Sequence, residues 1–110
     1  MTLRAKMGAS RAWRVLVLAA LAGAVTVACG PTLYTFNSIP ASQTVEQARQ
    51  SNAAEHAPYE FYTASAYLDK AREEAAEANY QDATRFAERA NEFGTKARDL
   101  ARRRMREMGR

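Results

Sequence analysis

Two stretches of the chain share one apolar rhythm. Phe61, Ala64, Leu68, Ala71, Ala75 and Ala78 recur in alternating steps of three and four. Ala83, Phe86, Ala90, Phe93, Ala97 and Leu100 repeat that alternation. A 3.5-residue period puts each set on one face of a helix. Pro58 suits the first turn of the earlier helix, where a missing N–H costs nothing. Asn79-Tyr80-Gln81-Asp82 interrupts the pattern, with Asn79 suited to a left-handed cap and Asp82 to a new helix start. The spacing therefore predicts helices over 58–78 and 81–106, folded back as an antiparallel hairpin whose partners sum to about 161 in residue number, with each layer apolar on apolar. Leu68 should meet Phe93, and Phe61 should meet Leu100. Lys70 with Glu74 and Asp69 with Arg72 are spaced for ion pairs on the outer face.

A second stripe on the last helix, Ala87, Gly94 and Ala101, consists of small residues only. Gly inside a helix costs about 1 kcal/mol relative to Ala. Gly94 therefore marks either a close neighbouring backbone or a kink. With so much alanine, the hairpin is thin on its own. A preceding helix, a second copy or a partner should cover the stripe and Tyr59, Tyr62 and Tyr67. The preceding helix is predicted over 45–55, with Thr44 as its cap and Gln47 completing a capping box, and with His56-Ala57-Pro58 ending it. The expected fold is all-α: an Ala-rich antiparallel hairpin plus a short preceding helix, with the helical domain over 44–110.

The N-terminal part reads differently. Residues 1–14 carry Arg4, Lys6, Arg11 and Arg14 and no acid. Val15 to Ala28 is an uncharged, mostly apolar run. As a helix it would reach about 21 Å, short of the roughly 30 Å of a bilayer's hydrocarbon core. That length fits the apolar region of a secretory leader. Residues 29–43 hold two prolines and no charge, and are expected to form a flexible tether, with Leu33, Tyr34, Phe36 and Ile39 packing on the helices or dipping into a bilayer interface.

Composition narrows the chemistry. The chain has 110 residues and a formal charge of +4. The four leader cations account for that charge, and the remainder balances, so basicity gives no ground for nucleic-acid binding. One Cys and one His exclude a disulfide framework and a His/Cys metal cluster. The serines have only His56 as a possible base, and no glycine-rich nucleophile elbow or phosphate loop is present. His56 reads as a helix-end residue. No catalytic residue, metal, cofactor or small-molecule substrate is expected.

Thr26-Val27-Ala28-Cys29-Gly30, at the end of the apolar run, resembles the lipobox of bacterial lipoproteins. The resemblance implies diacylglycerol on the Cys29 thiol, cleavage between Ala28 and Cys29, and an acyl chain on the new N-terminus. Residues 1–28 would be the signal peptide and 29–43 the lipidated tether. Gly30, where Asp resembles an inner-membrane retention signal, implies the periplasm-facing leaflet of the outer membrane. Without modification, the same segment would be an ordinary secretory leader with an incidental cysteine, or an uncleaved anchor.

The stretch from Val45 to Ala101 resembles a second family, domain of unknown function 4398. It does so through Ala48-Arg49, Ala57-Pro58-Tyr59-Glu60, Ala64, Leu68, Ala71, Asn79-Tyr80-Gln81-Asp82-Ala83 and the alanines at 87, 90 and 97. Members look like short helical lipoproteins.

One charge feature remains. Arg98, Arg102, Arg103, Arg104, Arg106 and Arg110 outnumber Asp99 and Glu107, whereas residues 46–92 are acidic on balance. Cations suit a helix C-terminus, with Asp99–Arg103 and Arg103–Glu107 spaced as ion pairs. Alternatively, Arg102, Arg103, Arg104 and Arg106 contact an anionic surface. The expected function is a non-enzymatic outer-membrane lipoprotein serving as a helical scaffold or accessory subunit of an envelope complex. Its expected partners are membrane lipid through Cys29 and an envelope protein or a second copy. The alternative is a tether whose Arg-rich end binds peptidoglycan or anionic lipid.

Overall fold

In the computed structural model, residues 2–27 and 29–109 are described, with side chains described over 10–22 and 30–109. The chain forms five helices among these residues: α1 Thr2–Val27, α2 Cys29–Gln50, α3 Ala53–His56, α4 Pro58–Ala76 and α5 Tyr80–Met108. The described residues contain no strand. The fold is all-α, as the periodicity predicts.

The hairpin is α4 and α5. Tyr67 stacks on Phe86 and Phe93, with ring centroids 6.1 and 5.8 Å apart, and Tyr59 meets Phe93 edge-on at 6.4 Å. Leu68 is buried and Phe93 is half-buried against the same core. The two do not divide onto opposite outer faces, but the seam is shared unevenly. On α4, Phe61, Ala64, Leu68 and Ala71 are buried, while on α5 the buried residues are Ala83, Ala87, Ala90, Gly94, Ala97 and Ala101. Phe86, Phe93 and Leu100 sit at the rim of the core. Small residues take the centre because α5 has a helix on each side, and two close helix approaches leave room for little more than a methyl group.

The second neighbour is α2, which is longer than the sequence reading allows. It begins at Cys29, not at residue 45, and takes in residues 29–43, which were expected to form a tether. Tyr34, Ala41, Val45 and Ala48 face the core. Pro40 lies inside the helix, where proline removes a hydrogen bond and costs about 3 kcal/mol in an isolated helix. Packing along α5 outweighs that preference. Thr44, expected to cap a helix, is in its interior: its hydroxyl lies within hydrogen-bond distance of the Ala41 carbonyl (3.0 Å) and of Asn91 Oδ1 (3.1 Å), which share its one proton. Contacts from Thr44 to Asn91, Gln47 to Arg98 and Ser51 to Arg102 advance together along both helices, so α2 runs parallel to α5. The bundle is thus up–down–up, with α4 antiparallel to both. Of the two readings of Gly94, the structure bears out the close neighbour. A Cβ there would sit 2.8 Å from Thr44 Oγ1 and 3.2 Å from the Thr44 backbone carbonyl carbon.

The turns obey helix-end chemistry. At the end of α4 the Asn79 N–H bonds the Glu74 carbonyl (2.8 Å) and the Ala78 N–H bonds the Ala75 carbonyl (3.1 Å). This is the Schellman pattern, which needs a left-handed residue at its corner. That residue is Ala78, at φ 63°, not Asn79. Ala78 is therefore exposed rather than part of the seam, and the helix stops at Ala76. The Asn79 amide instead donates to the Glu74 carboxylate (3.0 Å). The Lys70 ammonium (3.0 Å) and this amide hold the Glu74 carboxyl below its usual range. Arg72 pairs with Asp69 at 3.3 Å. The break between α2 and α3 uses Asn52, also left-handed at φ 54°, a conformation asparagine tolerates.

Two substitutions to or from glycine should move stability in opposite directions. Ala78→Gly removes the left-handed penalty and should stabilise by about 1 kcal/mol. Gly94→Ala, though it improves helix propensity, forces α2 away and should destabilise by about 1–2 kcal/mol. Urea denaturation followed by circular dichroism checks both, and a stabilised Gly94→Ala chain would contradict the close α2–α5 approach.

Candidate functional site

Three surfaces carry the residues of interest, spread from one end of the bundle to the other. The first surrounds the start of α2. Cys29 opens that helix, while Ala28 and the Cys29 side chain lie outside the described residues. A Cβ on Gly30 would come 3.2 Å from the Tyr80 ring, so the head of α2 lies against the head of α5. Beyond it Leu33, Phe36 and Ile39 are exposed at 58%, 73% and 53%, while Tyr34, between them in sequence, turns toward the core. Among the described residues, no helix is long and apolar enough to cross a membrane.

The second surface is an open, mainly apolar groove on the outer side of α4, lined by Pro58, Tyr59, Tyr62, Ala66, Tyr67 and Phe86 among others. The 3.6-residue helix places Tyr59, Tyr62 and Ala66 on one face, away from the buried Phe61, Ala64 and Leu68. Tyr59 and Tyr62 are 71% and 60% exposed. Tyr67 forms the floor, held by its stacking on Phe86 and Phe93. Lys70 stands at one end, bonded to Glu73 (3.2 Å) and Glu74 (3.0 Å), and these carboxylates hold its ammonium above the usual lysine range. The Lys96 ammonium lies 5.1 Å from the Phe93 ring centroid, on the positive-over-aromatic geometry that stabilises such a pair. The sequence singled out the three tyrosines as unsatisfied. It missed Phe86 as their wall, because Phe86 was assigned wholly to the seam.

The third surface is the basic end of α5. Arg98 donates to Gln47 Oε1 (2.8 Å), Arg102 to the Ser51 hydroxyl (3.3 Å), and Arg104 to the His56 carbonyl. These three side chains tie the end of α5 to the end of α2 and to the α3–α4 junction, satisfying groups that helix termini leave open. Arg98 also takes Asp99, at 2.8 Å, where the spacing had offered Arg103. The Arg98 hydrogen bond, aided by the charges of Arg98, Arg102 and Arg103, keeps the Asp99 carboxyl below its usual range. Arg103 lines a shallow groove with Glu60 and Asp99. Arg102, Arg103, Arg104 and Arg106 are all exposed. The structural work of Arg102 and Arg104 was not legible in the sequence, since their partners lie about fifty residues away. His56 ends α3, as its place before Pro58 suggested.

The first and third surfaces are well separated. At roughly 1.5 Å per residue, Arg104 is about 36 Å along α5 from Tyr80, and hence from the head of α2. The aromatic groove runs along the bundle from Pro58, two residues from the His56 carbonyl that Arg104 meets, to Phe86, and no α2 residue lines it.

No curated protein matches the chain, and no solved structure matches it. The profile of the family described as Domain of unknown function (DUF4398) does match, over residues 39–109. It reaches further in both directions than the resemblance read between Val45 and Ala101, taking in the second half of α2 and nearly all of the basic end. The chain belongs to the DUF4398 family.

Proposed function

We propose that this protein is a lipid-anchored, non-enzymatic component of the cell envelope, acting as a small helical scaffold or accessory subunit of an envelope complex. In this reading Cys29 carries diacylglycerol and an acyl chain after cleavage behind Ala28, and the bundle faces the periplasm from the outer membrane. The lipid part rests on Thr26-Val27-Ala28-Cys29-Gly30 after a short apolar run. Two acyl chains hold where one is marginal.

The observation that carries the scaffold role is the aromatic groove. Tyr59 and Tyr62 stand exposed beside a floor of Tyr67 and Phe86. Tyrosine-rich apolar clefts on a rigid helix face are what protein partners use as anchoring points.

The second reading, an envelope tether, draws on Arg103 and Arg106 at the far end of α5. With Cys29 in the bilayer and the bundle upright, this end is directed away from the anchoring leaflet. That favours peptidoglycan carboxylates over lipid phosphates as its anionic contact.

Crosslinking in intact cells, followed by purification of the lipidated chain, separates the two. Tyr59→Ser with Tyr62→Ser should lower recovery of a protein neighbour about tenfold or more, without altering sedimentation with purified sacculi. Arg103→Gln with Arg106→Gln should leave neighbour recovery unchanged. Loss of sacculus binding in the arginine variant, with no protein neighbour in either, would replace the scaffold reading by the tether.

A further inference from the structure

We infer that the outer face of the first half of α2, formed by Leu33, Phe36 and Ile39, rests in the boundary between lipid headgroups and acyl chains, so that the bundle is held against the bilayer by a helix face as well as by its anchor. The inference deepens the lipoprotein reading and rests on it for the position of Cys29.

Three observations converge. The first is exposure at helical spacing. Leu33, Phe36 and Ile39 follow one another at intervals of three residues and are all more than half exposed, while Tyr34 and Ala41 turn inward. Ile39 and Phe36 share a shallow cleft with Pro31, Thr32 and Thr35, which gives the face an apolar surface with small polar margins.

The second is charge. No ionisable acid or base occurs from Cys29 through Val45 except the Cys29 thiol and the Tyr34 phenol. The first charged side chain of α2 is Glu46, which pairs at once with Arg49 (2.7 Å). The exposed faces of α4 and α5 carry Asp69, Glu73, Arg85, Glu88, Arg89 and Glu92. A face that only met water would have no reason to differ so sharply from its neighbours. A bilayer gives one, because charge is expelled from the acyl boundary.

The third is the fate of the polar groups on this segment. The Thr35 hydroxyl donates to the Pro31 carbonyl (2.8 Å), the Asn37 amide to the Leu33 carbonyl (3.0 Å) and the Ser38 hydroxyl to the Thr35 carbonyl (3.2 Å). These side chains bond back onto their own helix, so the face can lose water without leaving those donors unpaired. Position selects lipid over a protein partner: the ridge begins four residues after Cys29, next to the acyl chains that residue carries in this reading. An amphipathic helix in such a place sinks about 5–10 Å into the headgroup region.

Depth-dependent quenching tests this. The full chain is expressed with Trp13→Phe, so that one added indole is the only one, placed by Phe36→Trp or, as a control on the aromatic groove, by Tyr62→Trp. Each protein is purified from membranes and reconstituted into phosphatidylethanolamine–phosphatidylglycerol vesicles, with or without brominated acyl chains. Both sites are exposed, so neither change should disturb the fold, which circular dichroism checks. The Phe36→Trp chain should lose at least half its emission to brominated lipid, and the Tyr62→Trp chain less than a tenth. Equal quenching at both positions, or none at position 36, overturns the inference. So does a blue shift at position 36 that needs no lipid, because a second copy or another protein then covers the ridge. Intact-mass measurement of Cys29 on the same samples reports the anchor separately. A lipidated chain without quenching removes the ridge alone, and quenching of an unlipidated chain removes the anchor alone.

Discussion

The structure depends on how closely α2 and α4 can approach α5. Ala83, Ala87, Ala90, Gly94, Ala97 and Ala101 make one side of α5 nearly smooth, and two helices lie against it. At Gly94 there is no space even for a methyl group beside Thr44. Close approach maximises dispersion contacts between backbones, but an alanine contributes only about one methyl group, worth about 0.8 kcal/mol on burial. No large side chain among the described residues is fully buried. The bundle therefore draws its cohesion from proximity more than from a voluminous core.

That choice has a consequence at the edges. Large apolar side chains excluded from the centre must go to the rim. Phe86, Phe93 and Leu100 are half-buried there, and Tyr59, Tyr62, Leu33, Phe36 and Ile39 are exposed. The same packing that makes α5 smooth thus produces the aromatic groove on one flank and the apolar ridge on α2. In α5 the polar work shifts to the end of the helix, where Arg98, Arg102 and Arg104 reach groups of α2 and α3.

The legible part of this fold was the part whose preferences agree at every scale. α4 and α5 show an apolar rhythm, a proline start and ion pairs at helical spacing, and Lys70–Glu74 and Asp69–Arg72 formed as spaced. α2 was hidden because its local signals disagree with its packing. Pro40 and a lack of charge read as a tether, and Thr44 with Gln47 imitates a helix start. The contrary signal was present: Tyr34, Ala41, Val45 and Ala48 are spaced seven, four and three apart, a helical stripe of a length to match Ala87–Gly94–Ala101. At the α4–α5 turn, asparagine propensity pointed to residue 79. The Schellman hydrogen bonds instead put the left-handed position one residue earlier, on Ala78, since helix length decides which residue turns the corner. Of the candidate surfaces, the tyrosines were visible as unpartnered, whereas the roles of Arg102 and Arg104 depend on contacts that no local pattern encodes.

A helix that begins at Cys29 also changes what a lipid anchor at that residue would do. A flexible tether of about fifteen residues would let the bundle wander some 20 Å from the bilayer in any orientation. With α2 continuous from residue 29, attachment would act at the end of a rigid body, and rotation of the bundle would be resisted by the helix itself. The orientation would then follow from geometry. The heads of α2 and α5 and the α4–α5 turn would lie near the headgroups, the arginines some 36 Å further along the axis, and the aromatic groove would extend along the bundle between Phe86 and Pro58. Burial of the Leu33–Phe36–Ile39 face would tilt that axis toward the membrane, bringing the groove closer to the surface. Upright and tilted poses would therefore offer the groove to different neighbours, and the balance between them would rest on three apolar side chains of α2.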